Sequence, residues 1–257
     1  MSGSGWMWPR EHGAYAELGF PILTALLLGR PTTPAMAFAV AALAGFLAHE
    51  PMVILRGGRG VRRAELLGRA ARRRIAGLVA MGLAIGAVGV ITAPAGARWA
   101  LGAPVSGVAL LVPAVMRGQE KTLFAELIMA ATLASMMLPI GLAAGLTWPV
   151  VTVVGGVWLA AFAVATVLVH AVKAWQRTPT ARVIGAAASL LAGAVASIAV
   201  FAAALGFVPP LIGLALVPTP VVALATAALR VHPRQLRRVG WAVVAANATT
   251  LALLLAA

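Results

Sequence analysis

Nine apolar segments divide this chain, and the gaps between them carry almost all of its charge. The segments lie near residues 14–30, 33–55, 75–95, 98–116, 123–146, 148–172, 183–206, 208–229 and 239–256. A helix needs about 20 apolar residues to cross a bilayer, and lipid accepts only helices or closed barrels because backbone polar groups must be satisfied internally. The length of the segments and their lack of alternation exclude barrel strands. The sequence therefore predicts an all-α polytopic membrane protein, with nine transmembrane helices and a single transmembrane domain over residues 1–257.

The basic residues are concentrated in alternate gaps between the apolar segments. All but two of the 20 lysines and arginines lie at the N-terminus or in every second gap, and only Arg30 and Arg98 fall on the other side. Basic loops stay in the cytoplasm, which predicts a cytoplasmic N-terminus, an outer C-terminus and a location in the bacterial inner membrane. This rule accounts for the net charge of +14 without a nucleic-acid partner. Anionic lipids are the expected partners of the basic loops.

All six acidic residues are glutamates, and three of them fall inside apolar segments. Glu17 lies in the first segment, Glu50 in the second and Glu126 in the fifth. A charged residue at membrane depth costs about 2.5–3.5 kcal/mol on insertion scales and usually faces a bundle interior or an aqueous cavity. These glutamates are therefore candidates for acid–base chemistry or metal binding. The alternative is charge balancing, in which each glutamate pairs with a nearby arginine. The absence of cysteine excludes thiolate ligands and a cysteine nucleophile.

Four short polar segments lie at the predicted cytoplasmic ends of the helices. They are residues 9–17 with Arg10, His12 and Glu17, residues 49–60 with His49, Glu50, Arg56 and Arg59, residues 117–126 with Lys121 and Glu126, and residues 170–177 with His170, Lys173 and Arg177. In the second segment, the glycines predict that backbone amides and guanidinium groups approach one anion. In the fourth, the i, i+3, i+7 spacing puts three potential cations on one helix stripe, and interfacial snorkelling is the alternative explanation. The histidines of these segments have no metal-ligand spacing and are predicted to relay protons near neutral pH.

The stretch Pro9-Arg-Glu-His-Gly-Ala-Tyr-Ala16, with His49-Glu-Pro51 and Arg56-Gly-Gly-Arg-Gly60, resembles the bacterial YwiC-like membrane family. More distantly, the layout resembles the UbiA-type membrane prenyltransferases. That resemblance implies nine helices in one UbiA-like bundle and active-site loops after the second and sixth helices, where this chain has residues 49–63 and 170–177. UbiA-type enzymes bind a magnesium diphosphate through two aspartate-rich motifs, whereas this chain has no aspartate. Glu50 occupies the region of the first motif, and Lys173 and Arg177 replace the second.

The polar segments and the resemblance predict a UbiA-like intramembrane enzyme that acts on an isoprenoid or other lipid diphosphate, by prenyl transfer or terpene cyclisation. Catalysis is assigned to Glu50, Glu126 and His49, and Glu50 and Glu126 would also hold magnesium if the reaction uses it. Magnesium is a candidate cofactor, but the chain has no aspartate to hold it, and guanidinium and ammonium groups can bind a diphosphate directly. The residues expected to bind the substrate are Arg10, His12, Glu17, Arg56, Arg59, Lys121, His170, Lys173 and Arg177.

Two other classes of function remain open at this point. The first is a proton-coupled transporter or flippase of an anionic solute, in which the intramembrane glutamates carry the proton. The second is a non-enzymatic subunit of a membrane complex. The polar residues gather on one side of the predicted membrane, which favours an enzyme over an alternating-access pathway.

Overall fold

The computed structural model describes residues 12–174, 179–229 and 231–257, and these residues form helices joined by short turns, with no strand among them. The helices are α1 (His12–Leu28), α2 (Thr33–Leu55), α3 (Val61–Thr92), α4 (Ala95–Ala100), α5 (Gly102–Met116), α6 (Leu123–Ser135), α7 (Met137–Ala143), α8 (Trp148–Ala174), α9 (Pro179–Ala204), α10 (Pro210–Ala215), α11 (Pro218–Ala228) and α12 (Leu236–Leu255). A 3-10 turn at Pro233–Gln235 precedes α12. The prediction of an all-α fold is confirmed.

Eight helical stretches in the described part of the chain are long and apolar enough to cross a membrane, when helices separated by one or two residues are counted together. Three of the eight stretches each combine two α-helices, and these are Ala95–Met116, Leu123–Ala143 and Pro210–Ala228. The shorter apolar helix α1 corresponds to the first predicted segment and completes the predicted order of spans. The chain is a multi-pass membrane protein.

The breaks inside the joined spans follow from proline. A proline has no backbone N–H and cannot bond the carbonyl four residues earlier, which weakens the helix at that point. Pro104 and Pro139 lie four residues after Ala100 and Ser135, the last residues of α4 and α6, and Pro220 lies four residues after Leu216, the C-cap of α10. The prolines therefore divide three spans into a pair of short helices each.

The third span begins much earlier than the sequence predicts. The arginine-rich stretch 61–74 was expected to be part of a loop, but α3 begins at Val61, directly after Gly60, whose φ is +96°. Arginine, alanine and leucine are all good helix formers, and the stretch contains no proline. Glu65 and Arg69 are also four residues apart, a spacing that supports a helix. A prediction based on charge alone therefore places the start of the third helix too late in the sequence.

Helix α8 is the centre of the bundle. It packs against α1, α6, α7, α9, α10, α11 and α12. Its side chains Trp158 and Phe162 are fully buried, and the Trp158 ring stacks on Phe20 with the ring centroids 5.5 Å apart. The Trp158 indole N–H donates to the hydroxyl of Thr24 at 3.1 Å, which satisfies the only polar atom of the ring.

The turns gather on two sides of the bundle. On one side, the turn after α1 meets the turn after α7, where the Arg30 amide donates to the Ala144 carbonyl at 2.8 Å. On the other side lie the α2–α3 turn, the α5–α6 turn, the C-terminal end of α8 and the start of α12. Apart from Arg30 and Arg98, the described lysines and arginines lie toward this second side, which we call the basic side.

Candidate functional site

A buried ion pair closes the basic end of the α2–α3 hairpin. Glu50 lies near the C-terminal end of α2 and is 1% exposed. Arg59, from the following turn, reaches back and donates from Nε to Oε1 at 2.9 Å and from Nη2 to Oε2 at 2.7 Å. This two-pronged geometry matches the planar guanidinium to the planar carboxylate. Glu50 is therefore neutralised by a partner nine residues away along the chain, as charge balancing predicts.

The turn that carries Arg59 does not present its glycine amides to a ligand. Gly57 N donates to Ile54 O, Gly58 N to Val53 O and Gly60 N to Gly57 O, all within 3.0 Å. Positive φ values at Gly57 and Gly60 permit this tight wrapping of the chain around the end of α2. The prediction that these three amides approach an anion is wrong, because they complete the helix end instead. An anion at this turn would be held by guanidinium groups.

A second cluster joins α6 to α8. His170 Nε2 lies 2.8 Å from Glu126 Oε2, and Lys173 Nζ lies 3.7 Å from Glu126 Oε1. Glu126 is in the first turn of α6, and the two bases are in the last turns of α8. A helix stabilises an anion near its N-terminus and cations near its C-terminus. The antiparallel arrangement of α6 and α8 therefore places complementary charges where both helix dipoles favour them.

The side chains of this second cluster are only partly removed from solvent. The exposed fractions are 16% for His170, 29% for Glu126 and 49% for Lys173. Lys173 is also the more distant base, so His170 is the closer partner of the carboxylate. The i, i+3 part of the predicted cationic stripe thus meets a single glutamate, while Arg177 lies outside the described residues.

Helix α1 brings an aromatic side chain to the first cluster. Tyr15 packs its ring edge against Phe46 of α2, with centroids 5.1 Å apart and the rings at 75°. The Tyr15 hydroxyl also interacts electrostatically with the charges of Glu50 and Arg74. Glu17, two residues further along α1, is half-buried. The basic end of α1 therefore stands beside the Glu50–Arg59 pair.

Two buried polar atoms have no hydrogen-bond partner among the described residues. They are His49 Nε2, next to Glu50 on α2, and Glu120 Oε2, in the turn between α5 and α6. A buried polar atom without a partner is costly and in native proteins calls for a water, an ion or a functional role. His49 was predicted as a site residue. Glu120 was not, because the burial of a turn residue depends on the packing of neighbouring helices and leaves no local signal in the sequence.

The remaining predicted site residues fall into two groups. Arg56 and Lys121 are exposed on the basic side. Arg10 and Arg177 lie outside the described residues, and of His12 only the backbone, at the start of α1, is described. The structure thus brings the predicted residues together in two clusters, on α2–α3 and on α6–α8, with α1 packing against both α2 and α6.

The donor set present does not fit a resident magnesium ion. Magnesium takes about six oxygen ligands in octahedral geometry. Both oxygens of Glu50 accept from Arg59, and both oxygens of Glu126 face a base. No group of three or more histidine, aspartate or glutamate side chains converges in the described residues. The carboxylates assigned to magnesium are occupied by cations of the chain itself.

One family is similar to this chain. A family model described as YwiC-like protein matches residues 8–140, just over half of the sequence. The match runs from the N-terminal segment into α7 and includes Glu50, Arg59 and Glu126, but it ends before His170 and Lys173. No curated protein and no solved structure matches the chain.

Proposed function

We propose that this chain, which belongs to the YwiC-like protein family, is an intramembrane enzyme acting on an isoprenoid or other lipid diphosphate, by prenyl transfer or terpene cyclisation. Its site would lie on the basic side, facing the cytoplasm of a bacterium from the inner membrane. The UbiA-like bundle remains an analogy within this proposal, since fold likeness does not establish chemistry.

One observation carries the proposal: Glu50 and Glu126 are both already paired with bases of the chain. Because Arg59 neutralises Glu50, and His170 and Lys173 face Glu126, the carboxylates do not repel an incoming anion strongly. Exposed cations such as Arg56 and Lys121 then leave the basic side electropositive. A diphosphate is the anion that guanidinium and ammonium groups in this arrangement would bind best.

The chemistry needs a stabilised leaving group and a proton acceptor. In either reaction the allylic carbon–oxygen bond breaks, the diphosphate leaves with the bonding electrons, and the resulting carbocation reacts and loses a proton. Fixed cations would stabilise the charge that develops on the diphosphate, and Arg56, Arg59 and Lys173 are the candidates. Glu126 would accept the proton while the His170 hydrogen bond orients its carboxylate. In this scheme Glu50 orients Arg59.

The test is release of pyrophosphate by the purified protein, supplied with prenyl diphosphates of different lengths with and without magnesium. We expect release without added magnesium, and mass spectrometry of the lipid product would identify the reaction. Lys173→Ala should lower the rate by at least tenfold, whereas Arg238→Ala should not. Arg238 is an exposed arginine of α12 on the same side, so it controls for net charge. Full activity in Lys173→Ala, or no release from any substrate, would count against the proposal.

A second function is favoured by one specific contact. The carboxylate–imidazole pair Glu126–His170 is half-buried at the end of two spans, an arrangement that proton-coupled transporters use. A transporter or flippase of an anionic solute would take up its substrate into proteoliposomes only under a proton gradient. If such uptake is found and Glu126→Gln abolishes it, transport replaces the enzyme as the better assignment.

A further inference from the structure

One face of α3 is uncovered in the basic half of the helix. Arg62, Leu66, Arg69 and Arg73 are spaced four, three and four residues apart, so they lie on one face. All four side chains are exposed, and Leu66 is 77% exposed, whereas Ala71 on the opposite face is fully buried. These four residues, named here the arginine ridge, therefore point away from the bundle.

The arginine ridge extends beyond the membrane. Helix α3 is continuous over Val61–Thr92, and residues 75–92 carry no charge. A helix crosses the hydrocarbon core in about 20 residues, which counted back from the end of α3 places the boundary of the core near Arg73. At a rise of about 1.5 Å per residue, Leu66 lies about 10 Å and Arg62 about 16 Å beyond this boundary. The headgroup layer is only about 5–8 Å thick, so these two side chains are in water.

The chain itself does not neutralise the ridge. None of its three arginines forms an ion pair within the described residues, and Glu65 is the only acidic residue of α3. A guanidinium group pairs best with a carboxylate, which it can contact through two hydrogen bonds. Arginine is also enriched in protein–protein interfaces. The ridge therefore matches an acidic surface that offers an apolar contact for Leu66.

Neither a second copy nor the bilayer fits the ridge. Copies of one membrane protein share their orientation in the bilayer, so a symmetric pair through this face would place each arginine against its own equivalent. Like charges in contact are destabilising. The bilayer lies too far away, because α3 has no break that would let residues 61–74 lie flat on the headgroups. A nucleic-acid backbone carries the right charge but offers no apolar contact for Leu66, which leaves an acidic segment of a different protein.

We propose that the arginine ridge docks an acidic helix of a different protein on the basic side of the membrane. Carboxylates spaced by three and four residues on that helix would face Arg62, Arg69 and Arg73, and an apolar side chain among them would cover Leu66. The inference is independent of the proposed function, because the ridge contains none of the residues assigned to the diphosphate or to the proton.

The first test measures how tightly the purified chain, in phosphatidylcholine nanodiscs, binds a synthetic helical peptide with glutamates at the ridge spacing around one leucine. Replacing the three ridge arginines together with glutamine should weaken binding at least tenfold. The matched control is the same change in three exposed arginines around the start of α12, namely Arg234, Arg237 and Arg238. Both variants lose three positive charges, so equal binding by the two would show attraction by net charge alone and overturn the proposal.

The second test identifies the partner in the cells that naturally produce the chain. A photoreactive benzoylphenylalanine placed at Leu66 should form an adduct with an acidic segment of a different protein, located by mass spectrometry. The adduct should disappear when the ridge arginines are replaced with glutamine. The same probe at Leu83, which is 70% exposed in the apolar half of α3, should not give it. An adduct only with phospholipid, nucleic acid or a second copy, or no adduct at all, would overturn the proposal.

Discussion

At the scale of single residues, each glutamate of the two clusters is neutralised by the bases that contact it. Glu50 is almost fully buried and has two hydrogen bonds from one arginine, whereas Glu126 is partly exposed and shared between an imidazole and an ammonium group. The cost of breaking an ion pair depends on its burial. Removing one partner of a buried pair is strongly destabilising, whereas an exposed pair contributes little to stability. The two glutamates should therefore respond differently to mutation.

Arg59→Ala is expected to destabilise the protein by about 3–5 kcal/mol, because it leaves the Glu50 charge buried without a partner. The measurement is thermal unfolding in detergent. Replacing both partners, as in Arg59→Ala combined with Glu50→Ala, should recover much of the loss since no charge is then orphaned. A double variant as unstable as Arg59→Ala alone would contradict this account of the pair.

Thr24→Val is expected to cost about 1–3 kcal/mol, because the fully buried Trp158 N–H loses its acceptor while the shape of the site is kept. Thr24→Ser retains the hydroxyl and serves as the control in the same unfolding measurement. If the two variants are equally stable, the hydrogen bond does not contribute as the geometry indicates.

At the scale of helices, small residues decide how closely the spans approach. A Cβ at Gly107 on α5 would collide with the Thr132 side chain on α6, whereas a Cβ at Gly102 would meet nothing within 4 Å. Interiors are closely packed, so a collision of this kind forces one helix to move. Glycine at position 107 is therefore required by the contact and not by the backbone conformation.

Gly107→Ala should lower the unfolding temperature, because α5 and α6 must separate to accept the methyl group. Gly102→Ala adds the same methyl group to the same helix in open space and should be neutral or slightly stabilising, as alanine is the better helix former. Adding Thr132→Ala to Gly107→Ala should restore part of the loss. Equal unfolding temperatures for Gly107→Ala and Gly102→Ala would contradict the packing described here.

At the scale of the whole molecule, the charge pattern and the helix arrangement both distinguish two sides of the bundle. The basic side collects the arginines of α3, and the opposite side is reached by the turn between α7 and α8. Positive loops remain in the cytoplasm, which makes the orientation of the molecule testable by labelling from one side. Leu66 is 77% exposed in the basic half of α3, and Thr147 is exposed in the opposite turn.

A membrane-impermeant maleimide added to intact cells should label Thr147→Cys and spare Leu66→Cys, and inverted vesicles should give the reverse pattern. The natural chain, which has no cysteine, is the blank. Labelling of Leu66→Cys from outside the cell would reverse the predicted orientation and move the proposed site to the outer face.

Much of the architecture could be predicted from the sequence. Apolar length predicts the order of the spans and approximately their number, because eight stretches of the described residues are long enough to cross a membrane and α1 is shorter. The start of α3 is wrong in the prediction, which places the arginine run in a loop. The polar segments could be identified from the sequence, but which of their side chains contact each other could be predicted only in part. Glu50 with Arg59 lies within one hairpin, whereas Glu126 with His170 joins residues 44 positions apart. Glu120 lies within one of these segments, but the burial of its Oε2 atom left no local signal in the sequence.

The sequence by itself determined that this chain is a multi-pass helical membrane protein with its charge on one side, because span length and loop charge are properties of local stretches. Only the tertiary structure decided which bases face Glu126, that the glycine amides of the α2–α3 turn are already bonded, and that α2 packs on α7. These features depend on the rotation and tilt of helices against one another. Helix packing depends on many contacts between residues that are far apart in the sequence, and no local sequence pattern indicates which of these residues contact each other.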